Sequence, residues 1–242
     1  GRSNEAWAWM GRALDRLRRS PTRPVAVTYL VQGARATLAA RGIDARDAAP
    51  NDAWLTEQLK AVPVTEAGKG YHRILSWGPR VRYFVERGQL DDEFEKLTQA
   101  FDAEKHDPAT AHPTVGAYYV AIMHARMHQC FRSKTDERPR YVALLHQAVT
   151  TLSKAAKMPV VHAHRLLGEG VLAWLEGKEP RAKKLLAEAA ELAEEQTCPW
   201  VQYGIARARA HMLRAAGNGD SARDQARIAE ALAVEHGSVY RA

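Results

Sequence analysis

Histidines are the first residues in this 242-residue chain whose type and spacing could support chemistry. His124 and His128 are four residues apart, and two imidazoles at that spacing on one helix face can bind a zinc ion. Cys130 follows His128 by only two residues, so on a helix it points away from that face. The sequence contains no His-Glu-x-x-His motif. We therefore expect packed or solvent-bridging histidines, no metal site and no cofactor.

The other candidates for catalysis lack a partner in the sequence. His162 and His164 are two residues apart and would point to opposite sides of a helix. Cys198 precedes Pro199 in a predicted turn, where a free thiol is usually incidental. No Gly-x-Ser-x-Gly or phosphate-binding Gly-x-x-x-x-Gly-Lys-Ser/Thr motif is present. We therefore predict that the protein is not an enzyme, and a helical-bundle enzyme with converging carboxylates or histidines is the least supported alternative.

The elements that must position these residues are all predicted to be helices. β-Branched residues are too scattered for strands, whereas apolar residues recur at helical spacing. We predict helices over residues 5–19, 25–41, 54–61, 71–87, 91–105, 114–132, 139–157, 160–176, 181–196, 199–216 and 221–236. Pro63, Gly68 and Gly70 interrupt the pattern between residues 62 and 70. This break divides a segment 1–62, with one hairpin and a short helix, from a repeat region 71–242, unless the two form one array.

Two segments of the chain superimpose at one constant offset, so that residue i of the first matches residue i + 40 of the second. The matched pairs are Pro159 and Pro199, Gly177 and Gly217, Ala182 and Ala222, Ala189 and Ala229, Leu192 and Leu232, and Ala193 and Ala233. We call this offset the repeat register. Each copy is predicted to be a helix, a short glycine-containing turn and a second helix. Such units bury their apolar faces against their neighbours, so the pattern indicates a stack of helical hairpins.

The repeat resembles tetratricopeptide (TPR) repeats. If Gly177 is placed at that family's turn glycine, Gly170, Ala182 and Ala189 fall at its small positions and Leu186 at the large apolar position between them. Small residues there let paired helices approach closely. The first-helix aromatic position and the closing proline of the family are not matched, and the period of 40 exceeds its usual 34. The resemblance implies an all-α fold of antiparallel helical hairpins stacked in a TPR-like right-handed superhelix, or α-solenoid.

The Ala- and Arg-rich helix 206–217 and the helix after it resemble repeats in the carboxy-terminal regions of large bacterial signalling ATPases. These include transcriptional activators of the maltose-regulator kind and kinases or cyclases fused to an ATPase module. The resemblance covers residues 119–237. It implies a regulatory sensor or protein-docking region in signal transduction, which binds a peptide, a partner protein or a small effector in its concave groove.

The repeat register predicts which first-helix residues face that groove. They are His124, Met127, Phe131, His164, Leu167, Val171, Trp174, Arg207, His211 and Arg214. This surface changes from apolar and aromatic to basic, which suits an acidic amphipathic peptide or an organic ligand with a carboxylate or phosphate. The alternative is that these residues pack against other helices or face water. The six tryptophans are expected mainly to pack between helices.

The net charge of +7 raises nucleic acid as an alternative partner. The basic residues of the last two helices are interspersed with alanines and balanced by Asp220, Asp224 and Glu230, which favours a solvated face over a nucleic-acid contact. The chain has only two cysteines and no apolar run of membrane-spanning length, so we expect a cytoplasmic protein that does not cross a membrane. Self-association through an uncapped terminal hairpin is a further expectation.

Overall fold

The computed structural model describes residues 3–19, 24–43, 53–62, 71–111 and 113–238. Within these ranges the chain forms eleven α-helices and no strand, which confirms the predicted all-α class. The helices are α1 Ser3–Arg19, α2 Pro24–Ala40, α3 Ala53–Ala61, α4 Tyr71–Arg87, α5 Asp92–Asp102, α6 Pro113–Arg132, α7 Arg138–Ala155, α8 Pro159–Leu175, α9 Glu179–Glu195, α10 Pro199–Ala215 and α11 Gly219–Glu235. None of these described helices combines the length and the apolar character needed to cross a membrane.

Each predicted helix is found, with both ends within three residues of the prediction. Gly78 and Pro79 lie in the middle of α4, where such a pair often kinks or splits a helix, yet α4 continues through Pro79 to Arg87. Gly78 instead allows a close approach to α6, since a Cβ at this position would lie 3.2 Å from Cβ of Ala117. The predicted break between residues 62 and 70 lies, except for Val62, outside the described residues.

The last four helices show the repeat register directly. α8 and α10 begin at the matched residues Pro159 and Pro199, and α9 and α11 begin at the same offset from each other. The turn glycines Gly177 and Gly217 have φ of 76° and 79°, in the left-handed region that favours glycine. The residue after each glycine closes the turn by donating its backbone N–H to a carbonyl near the end of the preceding helix, at 2.8 Å in one copy and 2.9 Å in the other.

Small residues sit where helices pack closely. Ala182 and Ala189 of α9 are fully buried. A Cβ at Gly170 of α8 would lie 2.9 Å from Cδ2 of Leu186. These contacts let α8 and α9 pack along their length. α6 pairs with α7 and α10 with α11, while α8 contacts both α6 and α10.

The core extends from α4 to α10. Its largest fully buried side chains include Trp77, Phe94, Met123, Leu145 and Leu167. Burial of such side chains contributes roughly 1.5–3 kcal/mol each. This core therefore holds α4, α6, α8 and α10 in fixed relative positions, and the candidate site lies between three of these helices.

The first three helices have a smaller core of their own and join the rest where α2 packs along α4. Arg35 of α2 is buried and donates hydrogen bonds to the carbonyl oxygens of Leu59 and Val62, the latter at 2.7 Å. These carbonyls end α3 and have no partner inside that helix. Burial lowers the pKa of the Arg35 guanidinium below its ordinary value.

Candidate functional site

The apolar part of the predicted groove is not an exposed surface. Met127, Leu167 and Val171 are at most 3% exposed and belong to the main core. α8 lies between α6 and α10, so the side chains it directs to either neighbour are covered. A buried side chain cannot line an open groove, and these three residues are therefore corrected from ligand contacts to packing residues.

His124 and His164 form one end of the contact surface where α10 approaches α6, and His164, only 4% exposed, is likewise a packing residue and not a groove contact. Nε2 of His124 lies 2.9 Å from Nδ1 of His164, so one ring donates a hydrogen bond to the other. The indole of Trp200 stacks on His124, with ring centroids 4.4 Å apart and planes inclined by 14°. Sγ of Cys198 lies 3.7 Å from Nε2 of His164. We call these four residues the imidazole cluster.

The imidazole cluster has the character of a packed contact. His164 directs its two ring nitrogens to different partners, one to His124 and one to Cys198. A metal ion would need both histidines to turn a lone pair towards one point. Across the described ranges, no group of three His, Cys, Asp or Glu side chains is arranged to hold a metal ion.

Phe131 and His211 form the other end of this surface. Their rings stack with centroids 4.2 Å apart and planes inclined by 8°. The ring of Trp174 lies 6.3 Å from that of Phe131, and Cζ of Arg207 lies 5.9 Å from the same Phe131 ring. Burial, together with the charges of Arg207 and Arg214, lowers the pKa of His211 to about 4. α10 therefore touches α6 directly at both ends of the surface, across the intervening helix.

A cavity of about 300 Å³ lies between α4, α6 and α10. We call it the basic cavity, and its lining residues are Val85, Glu86, Arg87, Gly88, His124, His128, Arg132, Trp200, Tyr203 and Arg207. Arg87 and Arg132 end α4 and α6, whereas Arg207 lies in the middle of α10. Three helices thus direct one arginine each towards the same space.

Arginines outnumber carboxylates among the residues that line the basic cavity. Within the described part of the chain, Arg132 and Arg207 have no carboxylate oxygen within 4.0 Å. Glu86 is the one acidic residue of the lining, and its buried carboxylate accepts a hydrogen bond from Nε of Arg82 at 3.1 Å. Burial and the charges of Arg207 and Arg132 lower the pKa of His128 to about 3, so its ring is neutral at pH 7.

Arg214 lies outside the basic cavity. It is exposed and lines two neighbouring spaces, one of about 460 Å³ between α10 and α11 and one of about 200 Å³ beside Trp174 and Arg138. His211 lines both of these spaces as well, and Arg207 lines the larger one. The predicted basic end of the surface is therefore distributed over three adjacent cavities along α10.

Eight of the ten residues that line the basic cavity were not predicted as ligand contacts, and four of them carry side chains suited to a ligand. His128 was considered only as a metal ligand or packing residue, Trp200 was expected to pack, and Arg87 and Arg132 were not singled out. Arg87 and Arg132 share one signal, since each is the last residue of a helix that precedes a turn. That signal is weak, because a basic residue in the last turn of a helix is generally favourable.

The function must be inferred from this cavity and its surroundings. The cavity offers guanidinium groups, a neutral imidazole and aromatic side chains, and guanidinium groups are hydrogen-bond donors suited to anions. No protein-family model, no curated protein and no solved structure matches the chain.

Proposed function

We propose that the chain is a non-catalytic binding and regulatory scaffold whose ligand occupies the basic cavity. The observation that carries this proposal is the meeting of Arg87, Arg132 and Arg207, from three helices, in one cavity without an ion-pair partner for the last two in the described chain. Crowding of like charges costs free energy, and an anionic ligand offsets that cost.

The proposed architecture is a TPR-like right-handed superhelix. Its support is the packing of α6 with α7, α8 with α9 and α10 with α11, together with the constant offset between the last two pairs. In such an array the first helices of successive hairpins share one face. The basic cavity lies on the side where the first helices α4, α6 and α10 meet.

The size of the cavity favours a compact ligand. Small-molecule sites commonly have volumes of about 300–1,000 Å³, and the basic cavity lies at the lower end with about 300 Å³. Trp200 and His211 of α10 stack on α6 and close the surface that a long peptide would need. We therefore favour a small anionic effector or the acidic end of a protein segment over an extended peptide.

The proposed setting is a larger bacterial signalling or transcription-regulating protein. This part rests on the resemblance of residues 119–237 to the repeat regions of signalling ATPases. The ligand would then report a cellular state to another part of that protein, and the partner would be an acidic peptide, a protein or a small effector.

Calorimetric titration with a hexaglutamate peptide and a set of small carboxylates and phosphates tests the proposal. We expect at least one probe to bind the wild-type chain and to lose at least tenfold in affinity in the Arg207→Glu/Arg214→Glu double variant, since each charged hydrogen bond contributes about 1.5–3 kcal/mol. The control is Arg209→Glu, on the same helix but outside the lining of the basic cavity. Equal binding by all three proteins would contradict the proposal.

Nucleic acid is the second candidate partner. The net charge of +7 favours it, as do Arg132, Arg207 and Arg214, which have no carboxylate partner among the described residues. Binding to phosphates releases counterions, so affinity for an oligonucleotide should fall steeply with salt concentration. Fluorescence anisotropy between about 50 and about 200 mM salt measures this slope. A slope near zero, or no binding, would reject this candidate.

A further inference from the structure

We propose that the basic cavity binds the phosphate group of a small phosphorylated molecule, with Arg132 and Arg207 as its ligands and Arg87 at the rim. This inference rests on the proposed binding function and specifies the chemistry of the ligand. Four features support it: the pairing of the arginines, the number of charges, the shape of the cavity floor and the state of His128.

Three other arginines of α4, α6 and α8 have carboxylate partners. Arg82 pairs with Glu86, Arg126 with Glu95 and Arg165 with Glu169. The Arg126–Glu95 pair joins α6 to α5, whereas the other two pairs lie within one helix at i,i+4 spacing. Arg132 and Arg207 have no such carboxylate in the described chain, although both line the same cavity.

Charge and geometry favour phosphate over carboxylate. A phosphate monoester carries a charge of about −1.5 to −2 at pH 7 and offers three acceptor oxygens. A guanidinium binds two such oxygens with parallel N–H donors. A single carboxylate has one charge and two oxygens, so it would balance only one of the two guanidinium groups of Arg132 and Arg207.

The floor of the cavity is kept open by a glycine. Gly88 ends α4 with φ of 64°. A Cβ at this position would lie 3.4 Å from Cε1 of His128 and 3.8 Å from Nη1 of Arg132. The absence of a side chain therefore leaves space beside both the imidazole and the guanidinium, where an oxyanion can approach.

His128 provides a second kind of donor. The low pKa caused by burial, Arg207 and Arg132 keeps its ring neutral at pH 7, so one ring nitrogen donates and the other accepts. The same positive field that disfavours an imidazolium attracts an anion. Asp91 and Glu137 line a neighbouring cavity on the other side of Arg132, more than 4.0 Å from its guanidinium.

Isothermal titration at constant ionic strength tests this assignment with four probes. Inorganic phosphate represents the phosphate group alone, and glycerol 3-phosphate represents a small phosphate monoester. Hexaglutamate represents a carboxylate ligand, and a single-stranded 12-mer DNA represents nucleic acid. We expect both phosphate probes to bind. The Arg132→Gln and Arg207→Gln variants should each weaken that binding about tenfold.

Arg214→Gln is the matched control, because it removes an arginine that likewise has no carboxylate within 4.0 Å in the described chain but lines only neighbouring cavities. It should change phosphate affinity less than about twofold, since Arg214 does not line the basic cavity and charges at a distance are screened by salt. Circular dichroism and unfolding midpoints establish that each variant is folded. If a glutamine variant does not fold, Arg207→Lys replaces it, because lysine keeps the positive charge but lacks the paired N–H donors. Its phosphate affinity should be lower than that of the wild type and higher than that of a chain without the contact.

The outcomes separate this inference from the broader function. The phosphate site is supported if phosphate affinity falls in the Arg132→Gln and Arg207→Gln variants but not in Arg214→Gln. Failure of both phosphate probes to bind, or equal loss in all three variants, overturns it. If hexaglutamate binds in the cavity while phosphate does not, the phosphate assignment is wrong and the binding scaffold stands. If only the DNA binds, both the phosphate assignment and the small-ligand scaffold are wrong.

Discussion

The pairs α8–α9 and α10–α11 have the same backbone plan but different surfaces. Their helices begin at matched residues of the repeat register and end in the same glycine turn. At three equivalent positions, however, α8 carries Leu167, Val171 and Trp174, whereas α10 carries Arg207, His211 and Arg214. The comparison shows that repeat register determines where a helix begins and ends, while the position in the stack determines which side chains it can carry.

α8 and α10 carry different side chains at these positions because they are covered by different numbers of neighbouring helices. α8 is covered by α6, α7, α9 and α10, so its Leu167 and Val171 are fully buried. The same turns of α10 border the basic cavity and the space beside α11. An arginine can keep its guanidinium hydrated there, which it could not do at a position enclosed on all sides.

Leu167 and Arg207 occupy equivalent positions in α8 and α10. Replacing Leu167 by arginine should change the free energy of unfolding more than any other substitution considered below. Leu167→Arg places a charge in the closed core and should lower the free energy of unfolding by more than about 3 kcal/mol. Arg207→Leu, the reciprocal change, should alter it by less than about 1 kcal/mol, because the side chain is only partly buried. Urea denaturation of both variants measures the difference. Similar losses in the two proteins would show that both repeats are packed alike.

Gly204 of α10 is equivalent to His164 of α8 in the repeat register. A substitution at Gly204 should have an intermediate effect on the free energy of unfolding. A Cβ at Gly204 would lie 2.5 Å from Cδ2 of Leu167, which is fully buried and has little room to move. Gly204→Ala should therefore destabilise the protein by about 1–3 kcal/mol, as urea denaturation would measure. Gly116→Ala is the control, because a Cβ there would meet no atom within 4 Å, and it should stabilise α6 by about 0.5–1 kcal/mol. Equal effects of the two changes would contradict the close packing of α10 on α8.

The smallest effect concerns His211, which stands where α8 has Val171. Its pKa of about 4 in the folded chain lies below the ordinary value of 6.5. Between pH 6.5 and 4 the unfolded chain therefore binds more protons, and the free energy of unfolding falls as the pH is lowered. His211→Gln should reduce this fall, measured by urea denaturation at pH 7 and 4.5. His146→Gln, at an exposed position on α7, should leave it unchanged.

Helix positions were largely predictable because they depend on local features. Apolar spacing, prolines at the starts of α8 and α10 and glycines at the ends of α8 and α10 are all visible in the sequence. The candidate site was predictable only in part. Arg207 was selected on the right helix, whereas Arg132 and His128 were not selected as ligand contacts, since nothing local distinguishes them from other polar residues of α6.

The site was harder to predict than the helices because it depends on the contact between α10 and α6. Trp200 stacks on His124 and His211 on Phe131, although the two members of each pair are far apart in the sequence. The predicted register placed His211 and Phe131 on the same face, but it contained no information on the distance between their helices. That distance is set by the core side chains of α8, which hold α6 and α10 on either side.

The sequence by itself determined the all-α class, the helix bounds and the repeat register, because capping, turn geometry and apolar periodicity act over a few residues. The tertiary structure alone decided that Met127, Leu167 and Val171 are core residues and that Arg87, Arg132 and Arg207 share a cavity. Burial and electrostatic proximity depend on which distant helices meet. The contacts between distant helices follow from the packing of the whole chain, and no local sequence pattern encodes them.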